Sequence, residues 1–444
     1  MSENNIKKYV IVGLGSRSDM FSSAILDSHK EYCQLLALCD TNQGRMDWWN
    51  RSYKEKFNAG PFKTYDAADF DTMISEQKPD TVIVTATDRV HHKYICRAME
   101  LGCDVISEKP MTIDAERNKQ IFDTIETTGR NLTVTFNYRY SPRNSLVKEL
   151  IQNGEIGEVI SVHFEWMLNT KHGADYFRRW HRDKKNSGGL MVHKSTHHFD
   201  LVNWWLDDTP SEVFGMGRLA FYGQENAENR GVKEFYPRCK DNIYAMKDPF
   251  ALNLMDGGKL QGLYADVEEY DGYIRDHSVF SQGISIEDTM SVLVRYKSKA
   301  TLTYSLNAFC PCEGYKVSFN GTKGRIEMDI SEMPYVSGSA FDQNNPDFNM
   351  SDIDFDFGGL TEKITVQKLW GEPREVEWDK DTAGGHGGGD KILMDDIFKG
   401  AGDDPLKRAA GPVDGAKSIL VGIAANKSFE TGQMVSIDDL FKLG

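Results

Sequence analysis

Two histidines four residues apart, His193 and His197, and a lysine set between an acid and a proline, Glu108-Lys109-Pro110, are the residues of this sequence best suited to chemistry. On a continuous helix His193, His197, Asp200 and Trp204 share one face, flanked by Lys194, Thr196 and His198. Such a pair suits two kinds of work. One imidazole can bind a hydroxyl while the other takes its proton, or both can chelate a divalent metal, with Glu165 or His163 on a preceding strand completing the set. The expectation is the metal-free arrangement, and a purely structural polar face is the third reading. Lys109 directly follows an apolar strand, at the carboxyl end where ligands of open α/β sheets gather.

A second constellation starts the chain. The segment Gly13-Leu14-Gly15-Ser16-Arg17-Ser18 lies between a strand over 8–12 and a helix beginning near Met20. Glycines at 13 and 15 permit a tight turn and the approach of backbone N–H groups to a pyrophosphate, and Ser18 is small enough for close strand–helix contact. Asp40 closes the next strand, where a carboxylate accepts hydrogen bonds from ribose hydroxyls and repels a 2′-phosphate. NAD is therefore expected over NADP, with Arg45 the residue that argues the other way.

These residues need a scaffold, and the hydrophobic pattern supplies one. Strand-like runs over 8–12, 34–39, 81–86, 104–107 and 132–136, four of them near-continuously apolar, alternate with helical stretches such as 91–101 and 114–127. That repetition predicts an α/β Rossmann domain, a doubly wound parallel sheet, over residues 1–140. From 141 to 444 the pattern changes to alternating strands over 158–168, 289–296, 301–306, 315–321 and 324–329, with helices over 144–152, 190–206 and 414–429 and a last short strand over 434–437. Successive strands without crossover helices predict a C-terminal α+β domain built on a large, mostly antiparallel open sheet. Residues 221–284 have weak periodicity and read as a long insertion, either a lid or an oligomer contact, and 337–356 read as loop.

The 444 residues give ample core for two or three domains. Lysine and arginine total 52 against 67 aspartates and glutamates, a net charge of −15 that opposes nucleic acid and anionic membrane as partners. Apolar runs are too short for a signal peptide or a membrane span, and 7 cysteines without paired spacing suit a reducing cytoplasm. Cys310 and Cys312, the only close pair, read as ordinary strand and turn residues.

The order GLGSRS, TATDRVHHKYICRAMELGCDVISEKPM, FNYRYSP, GGLMVHKSTHHFDL, FNGTKGRIEM resembles the Gfo/Idh/MocA family of nicotinamide-dependent sugar and polyol oxidoreductases. The resemblance implies that Lys109 polarises the reacting hydroxyl and that His197 is the acid/base group. The family's aspartate falls on His193, a departure that puts the usual division of roles in doubt. Ser16, Arg17, Thr87, His91, Glu108 and Asn137 are then expected beside the cofactor. Tyr138, Arg139, Trp180, His181, Lys194 and His386 are expected beside a small sugar, glycoside or polyol. A homodimer or homotetramer is implied as well. The reaction implied is hydride transfer between NAD and a secondary alcohol. Two alternatives stay open: glycoside cleavage through transient oxidation with retained NAD, and a non-catalytic nucleotide- or sugar-sensing protein.

Overall fold

Tyr9, Val10, Ile11 and Val12 are all buried, as a strand covered on both faces requires, and they form the centre of the first sheet. The computed structural model describes residues 6–255, 257–336, 361–378, 387–400 and 402–443. Six parallel strands, β1 (Lys7–Val12), β2 (Cys33–Asp40), β3 (Lys63–Asp66), β4 (Thr81–Val84), β5 (Asp104–Ser107) and β6 (Leu132–Val134), lie in the order β3-β2-β1-β4-β5-β6. The order reverses between β1 and β4, opening a crevice at their carboxyl ends. Helices are capped as their sequences dictate: the Asn42 side chain accepts from Arg45 N–H, and the Asp114 side chain from Arg117 N–H.

The second sheet has nine strands: β7 (Val159–Asn169), β8 (Pro210–Arg218), β9 (Thr289–Tyr296), β10 (Thr301–Cys310), β11 (Glu313–Gly321), β12 (Gly324–Met333), β13 (Glu362–Lys368), β14 (Arg374–Glu375) and β15 (Val435–Ser436). Their order is β14-β13-β12-β11-β7-β10-β9-β8-β15, antiparallel throughout except for β10 beside β7. Alternation decides the faces. In β7, Val162, Phe164 and Trp166 are buried while His163 and Glu165 are exposed. The buried face meets the Thr196–Leu206 helix, where Trp166 stacks on His198 at 4.1 Å, and Tyr315 stacks on Trp166 from the neighbouring strand at 4.9 Å. No helix of the described residues is long and apolar enough to cross a membrane.

Three expectations need correction. The helix expected over 190–206 is two helices, Leu190–His193 and Thr196–Leu206. Ser195 N–H reaches back to the Leu190 carbonyl, and the Ser195 hydroxyl bonds the buried Tyr304 hydroxyl at 2.9 Å, which interrupts the axis. The strands expected over 81–86 and 132–136 stop at Val84 and Val134. Strand β8 is not assigned from the sequence; a Cβ at Gly215 or Gly217 would lie 2.7 or 2.6 Å from the Phe429 ring, so packing of the Pro412–Thr431 helix demands glycine there. The 337–356 segment lies outside the described residues.

Candidate active site

Where the two sheets meet, a cavity of about 780 Å³ runs from the Gly13–Arg17 loop at the end of β1 to the His193–His197 segment of the second half. At the loop end the backbone leaves no choice of residue. Gly13 has φ +87°, and a Cβ on it would stand 2.4 Å from the Ala86 backbone. Asp40 Oδ2 accepts the Leu14 N–H at 2.5 Å, and Oδ1 accepts from Asn42 N–H and from Arg45 at 2.8 Å. Arg45 is also bound by Asp271 at 3.0 Å, so two carboxylates neutralise one guanidinium. Asp271, Tyr264 and Tyr273 belong to the 221–284 insertion, which thus lies across this end of the cavity. Ser16 N–H donates to the Tyr264 hydroxyl at 3.0 Å. The loop backbone therefore presents a donor to an oxygen acceptor on the cavity side, as a bound pyrophosphate requires, and Asp40 Oδ2 retains acceptor capacity for a ribose hydroxyl.

Arg17 and Glu108 form an ion pair at 2.6 Å, and Glu108 also accepts the Lys109 N–H at 3.0 Å. This ties the glycine loop to the end of β5 and aims Lys109 across the cavity, where its Nζ donates to the His193 carbonyl oxygen at 3.1 Å. Burial lowers the Lys109 ammonium to about 8, with Glu108 and Asp88 opposing the shift. Thr87 and His91 also line the cavity. Both His91 ring nitrogens face backbone carbonyls, of Pro110 and Ala86 at 2.9 Å each, so this ring braces the ends of β4 and β5.

His193 is not the isolated imidazole its sequence position suggests. Its Nδ1 stands 2.6 Å from Asp88 Oδ2, a carboxylate that follows β4 and lies 105 residues away in sequence. Burial pushes the carboxyl of Asp88 upward and holds His193 well below the usual imidazole range; for His193 the nearby Lys109 charge acts in the same direction. His181 packs edge-on against His193 at 4.1 Å and stacks on Trp180 at 3.5 Å, and neither of its ring nitrogens has a hydrogen-bond partner among the described residues. His197 lines the same cavity with its ring against Tyr138 at 4.9 Å. Trp180, Lys194 and Arg179 complete the residues the sequence offers there, joined by Tyr176 and His172, which sequence reasoning did not place at the site.

The metal set considered from the sequence does not assemble. His163 and Glu165 project from the face of β7 opposite to the helices, and the interrupted helix removes the regular spacing of His193 and His197. A different trio, Asp88, His181 and His193, has ligand-capable atoms within 4.8 Å of one another. Lys109 and Arg179 raise the local positive potential at both of its histidines, which opposes a divalent cation.

Other expected residues stand outside the cavity lining. Arg139 is fully buried and holds Asp200 through two hydrogen bonds of 2.8 and 2.5 Å, with Asp414 at 2.9 Å. Tyr138 is buried against Trp166, and Asn137 bonds Asp390 at 2.5 Å; none of the three lines the cavity. Trp204 donates to the Leu406 carbonyl, away from the site. His386 lies outside the described residues.

Comparison with known proteins identifies the family of the chain. Residues 7–136 match the profile described as "Oxidoreductase family, NAD-binding Rossmann fold", and residues 148–437 match its "C-terminal alpha/beta domain". YteT of Bacillus subtilis is 35% identical over 455 aligned positions, covering 99% of each chain. The scyllo-inositol 2-dehydrogenase (NAD⁺) of the same organism is 27% identical over 218 residues, 47% of this chain and 56% of that one. The crystal structure of aldose-aldose oxidoreductase from Caulobacter crescentus superposes with a TM-score of 0.60 at 17% identity, covering 97% of this chain and 100% of that one. With both halves matched and a relative aligned end to end, the chain belongs to the Gfo/Idh/MocA family of oxidoreductases.

Proposed function

We propose that this protein transfers hydride between NAD and a secondary alcohol of a sugar, glycoside or cyclitol. The observation that carries the reading is the meeting of Lys109, the Asp88–His193 pair and His197 on the cavity that begins at Gly13, Gly15 and Asp40. Bound NAD supplies the hydride acceptor. The loop at Gly13, Gly15 and Ser16 holds its pyrophosphate and Asp40 its ribose. Arg45, already matched by Asp40 and Asp271, offers little to a 2′-phosphate, which supports NAD over NADP.

His193 takes the hydroxyl proton. With Nδ1–H donated to Asp88, Nε2 is left as the acceptor, and the carboxylate stabilises the imidazolium that forms. The Lys109 ammonium lies against the developing alkoxide. His197 contacts the same hydroxyl or its neighbour. A carboxylate thus supports the histidine that stands where the family has its aspartate, and the role is kept by a two-residue device. Leu293 and Met216, exposed on the outer face of the nine-stranded sheet, support self-association as a dimer or tetramer, and light scattering that returns only the 50.3 kDa monomer would contradict it.

Absorbance at 340 nm tests the main reading. Purified protein with NAD⁺ and a panel of sugars, sugar acids and cyclitols is expected to form NADH with at least one member, and not with the Lys109→Met variant. NADH formation that is indifferent to Lys109 would overturn it.

A further inference from the structure

The charges on the substrate half of the cavity do not balance. Lys109, Lys194 and Arg179 line it, and the carboxylates beside Lys109 are Asp88, engaged by His193, and Glu108, engaged by Arg17. Behind Arg179, the single carboxylate of Asp175 is shared by Arg178 at 3.5 Å, Arg179 at 2.9 Å and Arg275 at 2.8 Å. Three guanidiniums on one acid leave positive charge directed at the cavity, in a protein whose net charge is −15.

Lys194 is the sharpest case. It is 4% exposed, its Nζ lies 4.5 Å over the Trp166 ring, and no carboxylate of the described residues comes within ion-pair distance. The two acids that influence it from further off are committed elsewhere. Glu313 accepts from Asn169 N–H and from His172 at 2.7 Å each, and Glu332 accepts from Arg143 at 2.7 Å. A buried ammonium whose near neighbours among the described residues are the Trp166 ring and, at 5.9 Å, the Tyr138 ring is costly, and a ligand that brings an anion removes the cost. His181 points the same way, with a buried ring whose nitrogens await a polar partner beside Lys109 and Arg179.

We propose that the substrate is a sugar acid, whose carboxylate is bound by the Lys194 ammonium in the field of Arg179 while a ring hydroxyl meets Lys109 and His193. The proposal rests on the oxidoreductase reading for the second of these contacts and stands on the cavity's own charges for the first. Lys194 is thereby a specificity-determining residue, adjacent in sequence to the proposed base.

Matched pairs test it: D-galactose against D-galacturonate and D-glucose against D-glucuronate, with D-galactose 6-phosphate as a separate anion. Turnover is followed at 340 nm, and binding to the NADH-loaded protein by titration calorimetry. The acid of a pair is expected to exceed its neutral partner in kcat/KM by at least about tenfold, the factor of a hydrogen bond to a charged group. Lys194→Met is expected to collapse that ratio, and Lys194→Arg, which keeps the charge, to preserve most of it. Equal use of acid and neutral sugar, or a preference that survives Lys194→Met, overturns the proposal. Preference for the phosphate over the galacturonate overturns the carboxylate assignment. If no sugar is turned over, uronate binding that Lys194→Met abolishes supports the anion site and refutes the oxidoreductase reading instead; absence of binding by either uronate overturns the anion site.

Discussion

At the scale of single residues, the proton machinery makes definite demands. Replacing Lys109 with Met is expected to lower kcat by at least about 10²-fold, as loss of a positioned proton-transfer or charge-stabilising group does. Because burial brings Lys109 down to about 8, the ammonium is present below that pH and lost above it. Alcohol oxidation is thus expected to decline above pH 8 in kcat/KM, and Lys109→Arg to remove the decline; a rate that keeps climbing through this range would contradict the ammonium role. Asp88→Asn leaves His193 without its carboxylate and is expected to cut kcat about tenfold or more while moving KM little. Dialysis against EDTA is expected to leave turnover unchanged, and stoichiometric metal in active protein by elemental analysis would refute the metal-free site. Lys109 was legible in the sequence because it sits at a strand's carboxyl end. Asp88 was not, since nothing local marks it and its partner lies 105 residues on.

Elements decide which of the candidate residues reach the cavity. Helical periodicity put His193, Asp200 and Trp204 on one face, but the kink at Ser195 sends Asp200 to Arg139 instead. A periodic pattern cannot register a hydroxyl that finds a tertiary partner such as Tyr304. Arg139 and Asp200 are both buried, so Arg139→Ala is expected to destabilise the protein by about 3–5 kcal/mol in urea unfolding, where an unchanged midpoint would contradict a structural role. The insertion over 221–284 gave little periodic signal because its helices, such as Gln224–Asn229 and Lys259–Leu263, are too short to repeat a face. Its Asp271 and the strand-end Asp40 together restrain Arg45. Replacing both, as Asp40→Ser with Asp271→Ala, is expected to shift the NADP-to-NAD preference by at least about tenfold in the ratio of kcat/KM values.

The whole molecule places two kinds of sheet around one cavity, and this level was the most legible. Buried apolar runs announced the parallel sheet and strict alternation the antiparallel one, because those patterns follow from covering two faces or one. The parallel pairing of β10 with β7 was not legible, since alternation is blind to strand direction. Overall charge likewise concealed the site: a chain of net charge −15 encloses a cavity whose substrate half carries Lys109, Lys194 and Arg179. The account's central claim is that hydride moves directly between a substrate carbon and NAD beside Lys109 and His193. Its most direct measurement uses the best substrate of the panel deuterated at every ring carbon, with the nicotinamide product read by mass spectrometry and proton NMR. The expected result is one deuterium at nicotinamide C4, absent with Lys109→Met; substrate consumed with no deuterium on the nicotinamide would contradict it.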